Sequence, residues 1–178
     1  MTFKGTLKPY QPEAVERMVD SEKLLVAYEM GLGKTCMTIA AIEALSPKRI
    51  LVLCLSSLKY QWQKEIKKFS DKDALVIDGT PAQRLKQYAE ADDYDYIIMN
   101  YEQGGNDWEV IKKGDFDASV CDEATAIKRS TTDRWKAMNQ LVKPNTWLWQ
   151  MTGTPAAQSP VDAYGLVKLM HPEKVDRT

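Results

Sequence analysis

The residues best suited to chemistry in this chain include a glycine loop that carries a lysine and a threonine. The loop reads GLGKT, with Gly31, Gly33, Lys34 and Thr35, and it follows a short apolar run. Glycines let successive backbone N–H groups turn toward an anion, and a helix beginning there adds the positive end of its dipole. In such loops the lysine reaches the β- and γ-phosphates and the threonine hydroxyl holds Mg²⁺. We therefore predict a nucleotide-binding phosphate loop, residues 28–35.

A second group consists of two adjacent acids, Asp122 and Glu123, at the end of the hydrophobic run 118–121. Ligands of open α/β sheets bind at the carboxyl ends of the strands, so both acids are expected to face the same phosphates. We predict that Asp122 holds Mg²⁺ and that Glu123 takes a proton from the water that attacks the γ-phosphate. Adjacent acids after a strand also cap helices, so the glycine loop upstream is what gives the pair its meaning.

Two further stretches carry side chains suited to a nucleotide. Gln11, in the segment LKPYQ, offers both a donor and an acceptor for the edge of adenine. Thr152 and Thr154 flank Gly153 after another apolar run, and we predict that they relay the state of the γ-phosphate to neighbouring parts of the protein. Taken alone, the first stretch would indicate only the start of a helix and the second only a turn.

Apolar segments alternate with helical patterns along the chain, and these elements must position the residues above. The predicted strands cover 24–27, 50–55, 74–77, 96–99, 118–121 and 147–151. The predicted helices cover 35–45, 58–69, 81–91, 107–113 and 132–142, and a last one follows Pro160. The alternation predicts a single α/β domain over residues 1–178, with a doubly wound, mainly parallel sheet and helices on both faces.

The helix predicted over 58–69 separates two kinds of residue. Its apolar side chains recur at helical spacing and are expected to pack on the sheet; they are Leu58, Trp62, Ile66 and Phe69. Its lysines fall largely elsewhere and are expected on a solvated face; they are Lys59, Lys64, Lys67 and Lys68.

The overall composition excludes several classes of protein. The net charge of −1 gives no global basic signature, so a nucleic-acid contact must come from a local patch. No apolar run approaches the roughly 20 residues that span a bilayer, and the first residues lack a signal-peptide core. We expect a cytoplasmic, nucleoid-associated or nuclear protein that is neither secreted nor in a membrane. Three separated cysteines and a single histidine indicate neither a zinc site nor a serine-type triad.

Together these motifs closely resemble the Swi/Snf family of helicase-like ATPases, in helicase superfamily two. LKPYQ is similar to the family's adenine-reading glutamine motif, EMGLGKT to its phosphate loop, and LVLCLSSLKYQWQKEIKKF to the motif that follows. NYE, DEAT and TGTP match later elements, and the end of the chain resembles the branch that remodels forks and anneals strands. The resemblance covers about residues 7–172 and implies a RecA-like lobe that binds ATP and Mg²⁺. Thr125 stands where the family has a histidine that helps couple ATP to the motor.

The resemblance also implies partners. Family members contact the phosphate backbone of double-stranded DNA, and the loops that would do so here carry Ser56, Ser57, Gly79, Asn100 and Tyr101. They also have a second RecA-like lobe, whose arginines complete the γ-phosphate site in a motif similar to Q-x-x-G-R-x-x-R. No such motif occurs in this sequence. We therefore expect the first lobe alone, with hydrolysis deficient unless the second lobe is supplied in cis or in trans.

Two functions remain open from the sequence, and a third is disfavoured. The chain is either the ATP-binding lobe of a DNA-dependent translocase or a stand-alone module that binds DNA or a protein without motor activity. The intact phosphate loop and acid pair favour the first, whereas Thr125 and the missing lobe favour the second. A phosphate-loop kinase or small GTPase is disfavoured because it does not account for LKPYQ and TGTP, and no N-K-x-D string is present.

Overall fold

The computed structural model describes residues 2–141, 147–154 and 163–175. Its strands are β1 Lys23–Val26, β2 Ile50–Cys54, β3 Ala74–Val76, β4 Tyr96–Asn100, β5 Ala118–Asp122 and β6 Trp147–Met151. Its α-helices are α1 Gln11–Asp20, α2 Lys34–Leu45, α3 Lys59–Phe69, α4 Pro81–Glu90, α5 Tyr101–Asn106, α6 Trp108–Ile111, α7 Asp133–Leu141, α8 Tyr164–Met170 and α9 Pro172–Val175. Short 3₁₀ turns cover Ser56–Leu58 and Ala124–Ile127.

The described strands form one six-stranded sheet in the order β1-β6-β5-β2-β4-β3, and every neighbouring pair is parallel. Because all strands run the same way, their carboxyl ends lie along one edge of the sheet. The predicted α/β architecture with a doubly wound parallel sheet is confirmed, and the strand positions agree with the predicted ones to within a residue or two.

Side chains alternate between the two faces of each central strand, so the sheet has a hydrophobic layer on each side. On one face Ile50, Val52 and Cys54 pack in a cluster with residues of α1, α2 and α3. On the other face Leu51 and Leu53 pack with residues of α5, α7 and α8. Helices therefore cover both faces. In the described ranges no helix has the length and apolarity needed to cross a membrane.

Helix α5 was not predicted. The sequence YEQGGN at 101–106 contains two glycines, which disfavour a helix, yet it forms α5. Asn100 and Gln103 form a reciprocal capping box at its start. A Cβ on Gly104 would lie 2.8 Å from a methyl carbon of Leu53, so this glycine allows the helix to pack closely on the sheet.

A correction concerns α3. Trp62 and Ile66 are buried as predicted. Lys59, predicted on a solvated face, is only 1% exposed. The helix begins so close to the sheet edge that its first residue points its side chain among the neighbouring loops, where the ammonium finds acceptors. Helical periodicity alone could not reveal this. Of the last predicted helix, the described part is α8 and α9; residues 155–162 lie outside the described ranges.

Candidate nucleotide site and nucleic-acid face

Strand order divides the carboxyl edge of the sheet into two halves. The cavity half consists of the ends of β1, β6 and β5, which are adjacent and carry the phosphate loop, Thr152 to Thr154, and the acid pair. Val26, Met151 and Asp122 lie side by side across these three strands. The loop half consists of the ends of β2, β4 and β3, followed by the loops predicted to meet DNA.

The backbone of the phosphate loop requires its glycines. Gly31 and Gly33 have φ values of +81° and +80°, a left-handed conformation that other residues adopt at a cost. A Cβ on Gly33 would also lie 2.5 Å from the side-chain nitrogen of Gln11. Gly33 immediately precedes the twelve-residue helix α2, so the positive end of that helix lies at the loop.

Lys34 is folded back over the phosphate loop. Its Nζ donates to the carbonyl oxygens of Tyr28 at 2.9 Å and Glu29 at 3.2 Å. The residue is 9% exposed. A lysine ammonium has three donors, and these bonds are to neutral acceptors, so an anionic phosphate oxygen would be a stronger partner.

Asp122 is oriented by two donors. Its Oδ2 accepts from the indole Nε1 of Trp62 at 2.9 Å, and its Oδ1 accepts from the backbone N–H of Glu123 at 2.9 Å. Burial raises the pKa of Asp122 above its usual value, although these two hydrogen bonds and the charge of Lys34 oppose the shift. The sequence predicted only a core position for Trp62, because the helical spacing of an indole gives no sign that its N–H has a polar partner.

Glu123 has a left-handed backbone, with φ of +50°. This conformation is uncommon for a residue with a side chain and costs roughly 1 kcal/mol or more. Strain of this kind persists where the surrounding structure fixes the residue, and it is often found at functional sites. The bend turns the chain from β5 into the 3₁₀ turn Ala124–Ile127.

The glycine loop and the acids line one cavity. Its volume is about 340 Å³, within the range of small-molecule sites. The lining includes Gly31, Gly33, Lys34, Thr35, Asp122 and Glu123, together with Leu58, Gln61, Trp62 and Glu65 from the region of α3. A threonine hydroxyl and a carboxylate are oxygen ligands of the kind that Mg²⁺ prefers, so these residues fit a Mg²⁺–nucleotide complex.

Gln11 links the segment before α1 to the phosphate loop. Its Oε1 accepts from the backbone N–H of Lys8 at 2.8 Å, and its Nε2 donates to the carbonyl of Leu32 at 3.0 Å. The residue is 3% exposed. The structure therefore joins the glutamine motif to the phosphate loop, and recognition of adenine by Gln11 stays a prediction.

The TGT turn, residues 152–154, also contacts the phosphate loop. Thr152 is fully buried, and its backbone N–H donates to the Val26 carbonyl at 3.2 Å. Its hydroxyl accepts from the backbone N–H of Thr154 at 3.1 Å. A Cβ on Gly153 would lie 3.5 Å from the side chain of Met30, so the turn and the phosphate loop are in contact. Thr154 is exposed.

The predicted DNA contacts occupy the loop half, with one correction. Ser56, Ser57 and Gly79 are exposed, and Asn100 is partly exposed. Tyr101 is only 3% exposed, and its hydroxyl donates to the backbone carbonyl of Asp122 at 2.7 Å. A DNA contact by the Tyr101 side chain is therefore contradicted, because α5 packs that ring against the sheet.

An arginine that was not among the predicted DNA contacts lies beside Ser56 and Asn100. A cavity of about 140 Å³ is lined by these two residues, by Glu102 and Arg134, and by Cys54, Leu55 and Tyr101. The Arg134 side chain is 38% exposed, and its Nη2 lies 3.7 Å from a carboxylate oxygen of Glu102. It comes from α7, remote in sequence from the loops, so no local motif indicated it.

A second arginine fixes the loop that contains Gly79. Arg84 forms two hydrogen bonds with the carboxylate of Asp107, at 2.6 and 3.0 Å, and its Nη1 donates to the Gly79 carbonyl at 3.0 Å. The Tyr88 hydroxyl also donates to Asp107 at 2.9 Å. Burial opposes ionisation of Asp107, but the bonds from Arg84 and Tyr88 outweigh it and lower the pKa of that carboxyl.

The fold and the arrangement of motifs define a RecA-like lobe of the helicase class of ATPases. The model of the SNF2-related domain family matches residues 10–178, and the chain belongs to that family.

Curated relatives and a solved structure agree with this assignment. ATP-dependent helicase fft1 of Schizosaccharomyces pombe is 30% identical over 187 residues, covering 96% of this chain and 19% of that protein. Helicase SWR1 of Candida albicans is 28% identical over 183 residues, covering 96% and 11%. The Sulfolobus solfataricus SWI2/SNF2 ATPase core in complex with dsDNA superposes with a TM-score of 0.85 at 28% identity, covering 96% of this chain and 37% of that one. The chain thus spans a small part of each relative's length.

Proposed function

We propose that residues 1–178 form the first RecA-like, ATP-binding lobe of a DNA-dependent SNF2-type ATPase or translocase. The observation that supports this most strongly is the adjacency of β1, β6 and β5, which gathers the phosphate loop and the acid pair around one cavity of about 340 Å³.

In this proposal each residue of the cavity half has a distinct task. Lys34 exchanges its bonds to the Tyr28 and Glu29 carbonyls for bonds to the β- and γ-phosphate oxygens. Thr35 and Asp122 hold Mg²⁺, which when bound neutralises charge that develops on the phosphate oxygens. Glu123 orients the attacking water and takes its proton.

Two further parts of the proposal concern the surroundings of the phosphates. Gln11 reads the edge of adenine while its amide holds Leu32 of the loop. Thr152 and Thr154 relay the state of the γ-phosphate, because their turn contacts the phosphate loop at Met30. Movement of the loop on nucleotide binding would therefore reach the turn directly.

We further propose that the loop half binds the phosphate backbone of duplex DNA. Ser56, Ser57 and Asn100 supply neutral polar groups, and Arg134 supplies a positive charge beside them. Contacts of this kind do not read sequence, and their strength falls as salt concentration rises. The structural neighbour from Sulfolobus solfataricus was solved with dsDNA, which supports this part of the proposal. A DNA-bound role would place the protein in the nucleus or with the nucleoid.

Hydrolysis is proposed to need a second RecA-like lobe, in cis or in trans. Among the described residues that line the cavity there is no arginine to answer the charge on the equatorial γ-phosphate oxygens. An arginine finger is worth about 10³–10⁵ in rate. The first lobe alone would accordingly bind Mg-ATP without appreciable turnover.

A stand-alone binding module without motor activity is the second candidate. Thr125, which replaces the family's histidine in the turn after the acid pair, is the observation that favours it. The two candidates differ in whether ATP turnover is restored by a matching second lobe.

Substitution of Lys34 tests the central claim. Lys34→Ala should lower ATP affinity by about tenfold to a hundredfold, because charge-assisted hydrogen bonds to the phosphates are lost. Calorimetric titration measures the affinity, and circular dichroism checks that the fold is retained. Lys64→Ala, an exposed lysine on α3, is the matched control. Equal ATP affinity in folded Lys34→Ala would show that the loop does not bind nucleotide.

A further inference from the structure

A buried lysine lies at the centre of the loop half. Lys59, the first residue of α3, is 1% exposed. Its Nζ lies 2.9 Å from Oδ1 of Asp78 and donates to the Ile77 carbonyl at 3.0 Å. It also donates to Oε1 of Gln103 at 3.4 Å. A lysine ammonium has three donors, so its bonding capacity is used within the protein.

These partners lie in the segments that follow three adjacent strands, and Gln103 is in the first turn of α5. Lys59 itself comes directly after Ser56–Leu58, which follows β2. Asp78 follows β3, and its Oδ1 accepts from the backbone N–H of Gly79 at 2.9 Å. Gln103 follows β4 and is paired with Asn100 through the capping box, at 2.8 and 3.1 Å. One ammonium therefore joins the three segments that follow β2, β3 and β4 and carry the proposed DNA face.

The burial of this charge argues against a direct role. An ammonium enclosed by the protein cannot contact a DNA phosphate without leaving its acceptors. Removing a charge from water also costs several kcal/mol, which good geometry and complete hydrogen bonding must offset. An apolar side chain would fill the same place without that cost, but it would not fix the position of three polar loops.

We propose that Lys59 is a positioning residue that holds the loops after β2, β3 and β4 in one arrangement, to which the phosphate backbone of duplex DNA binds. The inference rests on the proposed function of the loop half and deepens it. Among the groups proposed to meet DNA, the side chains of Ser56, Ser57 and Asn100 are uncharged. Their contribution depends on correct placement more than on electrostatic attraction.

Two substitutions of opposite charge separate positioning from electrostatics. Lys59→Met removes a positive charge and Asp78→Ala removes a negative one. If charge alone matters, Lys59→Met weakens DNA binding and Asp78→Ala strengthens it. If Lys59 positions the loops through Asp78, both variants weaken DNA binding. The double variant then binds DNA no more weakly than the single variant with the lower affinity.

The experiment uses residues 1–178 and a fluorescently labelled duplex of mixed sequence, with anisotropy titrations at several salt concentrations. We expect Lys59→Met and Asp78→Ala each to weaken binding about tenfold, the cost of ordering loops that the wild-type protein holds ready. The slope of log affinity against log salt should stay unchanged in Lys59→Met, since no phosphate contact is lost. ATP affinity should also stay unchanged. Lys67→Met, at an exposed position of α3, is the control for charge.

Several results would overturn the inference. Tighter binding by Asp78→Ala would show that charge alone acts there. A salt slope reduced by about 0.9 in Lys59→Met would indicate a direct phosphate contact. Unchanged affinity in both variants would remove any role in DNA binding. If Lys59→Met does not fold, the direction in which Asp78→Ala changes the DNA affinity decides between positioning and electrostatics. Wild-type protein that binds ATP but no duplex at low salt would instead contradict the DNA part of the proposed function.

Discussion

The charged side chains in the two halves of the sheet edge differ in their bonding partners. In the cavity half, Lys34 donates to two backbone carbonyls among the described residues, and it faces a cavity of about 340 Å³ together with Asp122. In the loop half, Lys59 and Arg84 are buried and bonded to carboxylates and to loop carbonyls. The first arrangement leaves charges able to change partners. The second uses charges to hold neutral polar groups in place.

The difference indicates that binding groups and supporting groups are separated along one edge. Helix α3 is common to both halves, because Lys59 serves the loop half and Trp62, three residues later, donates to Asp122 in the cavity half. A change at either end of α3 therefore tests whether the two halves are independent.

ATP turnover should differ most between the cavity half alone and a site that is completed by a second lobe. Residues 1–178 alone should hydrolyse ATP negligibly, even with duplex DNA, and a matching second lobe added in trans should raise the rate by about 10³–10⁵. Glu123→Gln should remove that gain while ATP binding is retained, because only the proton acceptor is lost. A coupled phosphate-release assay measures both. DNA-stimulated turnover near one per second from residues 1–178 alone would refute the prediction and the need for an external arginine.

Loss of Arg84 should lower the free energy of unfolding through its effect on the loop half. Arg84→Met leaves the Asp107 carboxylate largely buried and without its strongest partner, which typically costs about 3–5 kcal/mol of unfolding free energy. Urea denaturation followed by circular dichroism measures the loss, and Arg17→Met, in an exposed pair with Glu13, is the control. A loss of unfolding free energy below about 1 kcal/mol would mean that the pair does not stabilise the loop half as its geometry indicates.

Trp62 should act on the cavity half through Asp122. Trp62→Phe keeps an aromatic ring but removes the N–H that holds Oδ2, so the Mg²⁺ concentration for half-maximal ATP binding should rise about tenfold. Fluorescent ATP analogue titrations at varied Mg²⁺ provide the measurement. Trp135→Phe loses a buried indole hydrogen bond to the Gly165 carbonyl, away from the cavity, and is the matched control. Equal Mg²⁺ dependence in both variants would leave Trp62 a packing residue only.

The smallest effect concerns pH and the loop half. The hydrogen bond from Lys59 holds the pKa of Asp78 at about 2, below its unfolded value, with further bonds from the Gly79 N–H and the Tyr60 hydroxyl. A lowered folded pKa stabilises the protein above the unfolded pKa of about 3.9, and this stabilisation is lost as pH falls toward 2. The difference in Tm between wild type and Asp78→Ala should therefore be constant above about pH 5 and shrink below pH 4. Asp93→Ala, at an exposed position, is measured in parallel as the control.

Much of this protein could be predicted from local sequence. Alternating apolar runs and helical patterns indicated the parallel α/β fold, because a strand buried on both faces and an amphipathic helix each leave a periodic signature. The phosphate loop could be recognised because Gly31 and Gly33 must adopt left-handed backbone angles, which restricts the residue type at those positions. Helix α5 was not predicted, because packing of Gly104 against Leu53 overrides the low helix propensity of glycine.

Tertiary structure alone decided which motifs become neighbours. The order β1-β6-β5-β2-β4-β3 places β6 between β1 and β5, although β6 is the last of the described strands along the chain. It also brings Arg134 to the loop half, buries Tyr101 beneath Asp122, and gives Lys59 and Trp62 their polar partners. Periodicity reports only that a side chain faces inward. Whether its N–H meets a carboxylate, a carbonyl or only hydrocarbon depends on segments far away in sequence, and strand order determines which segments those are.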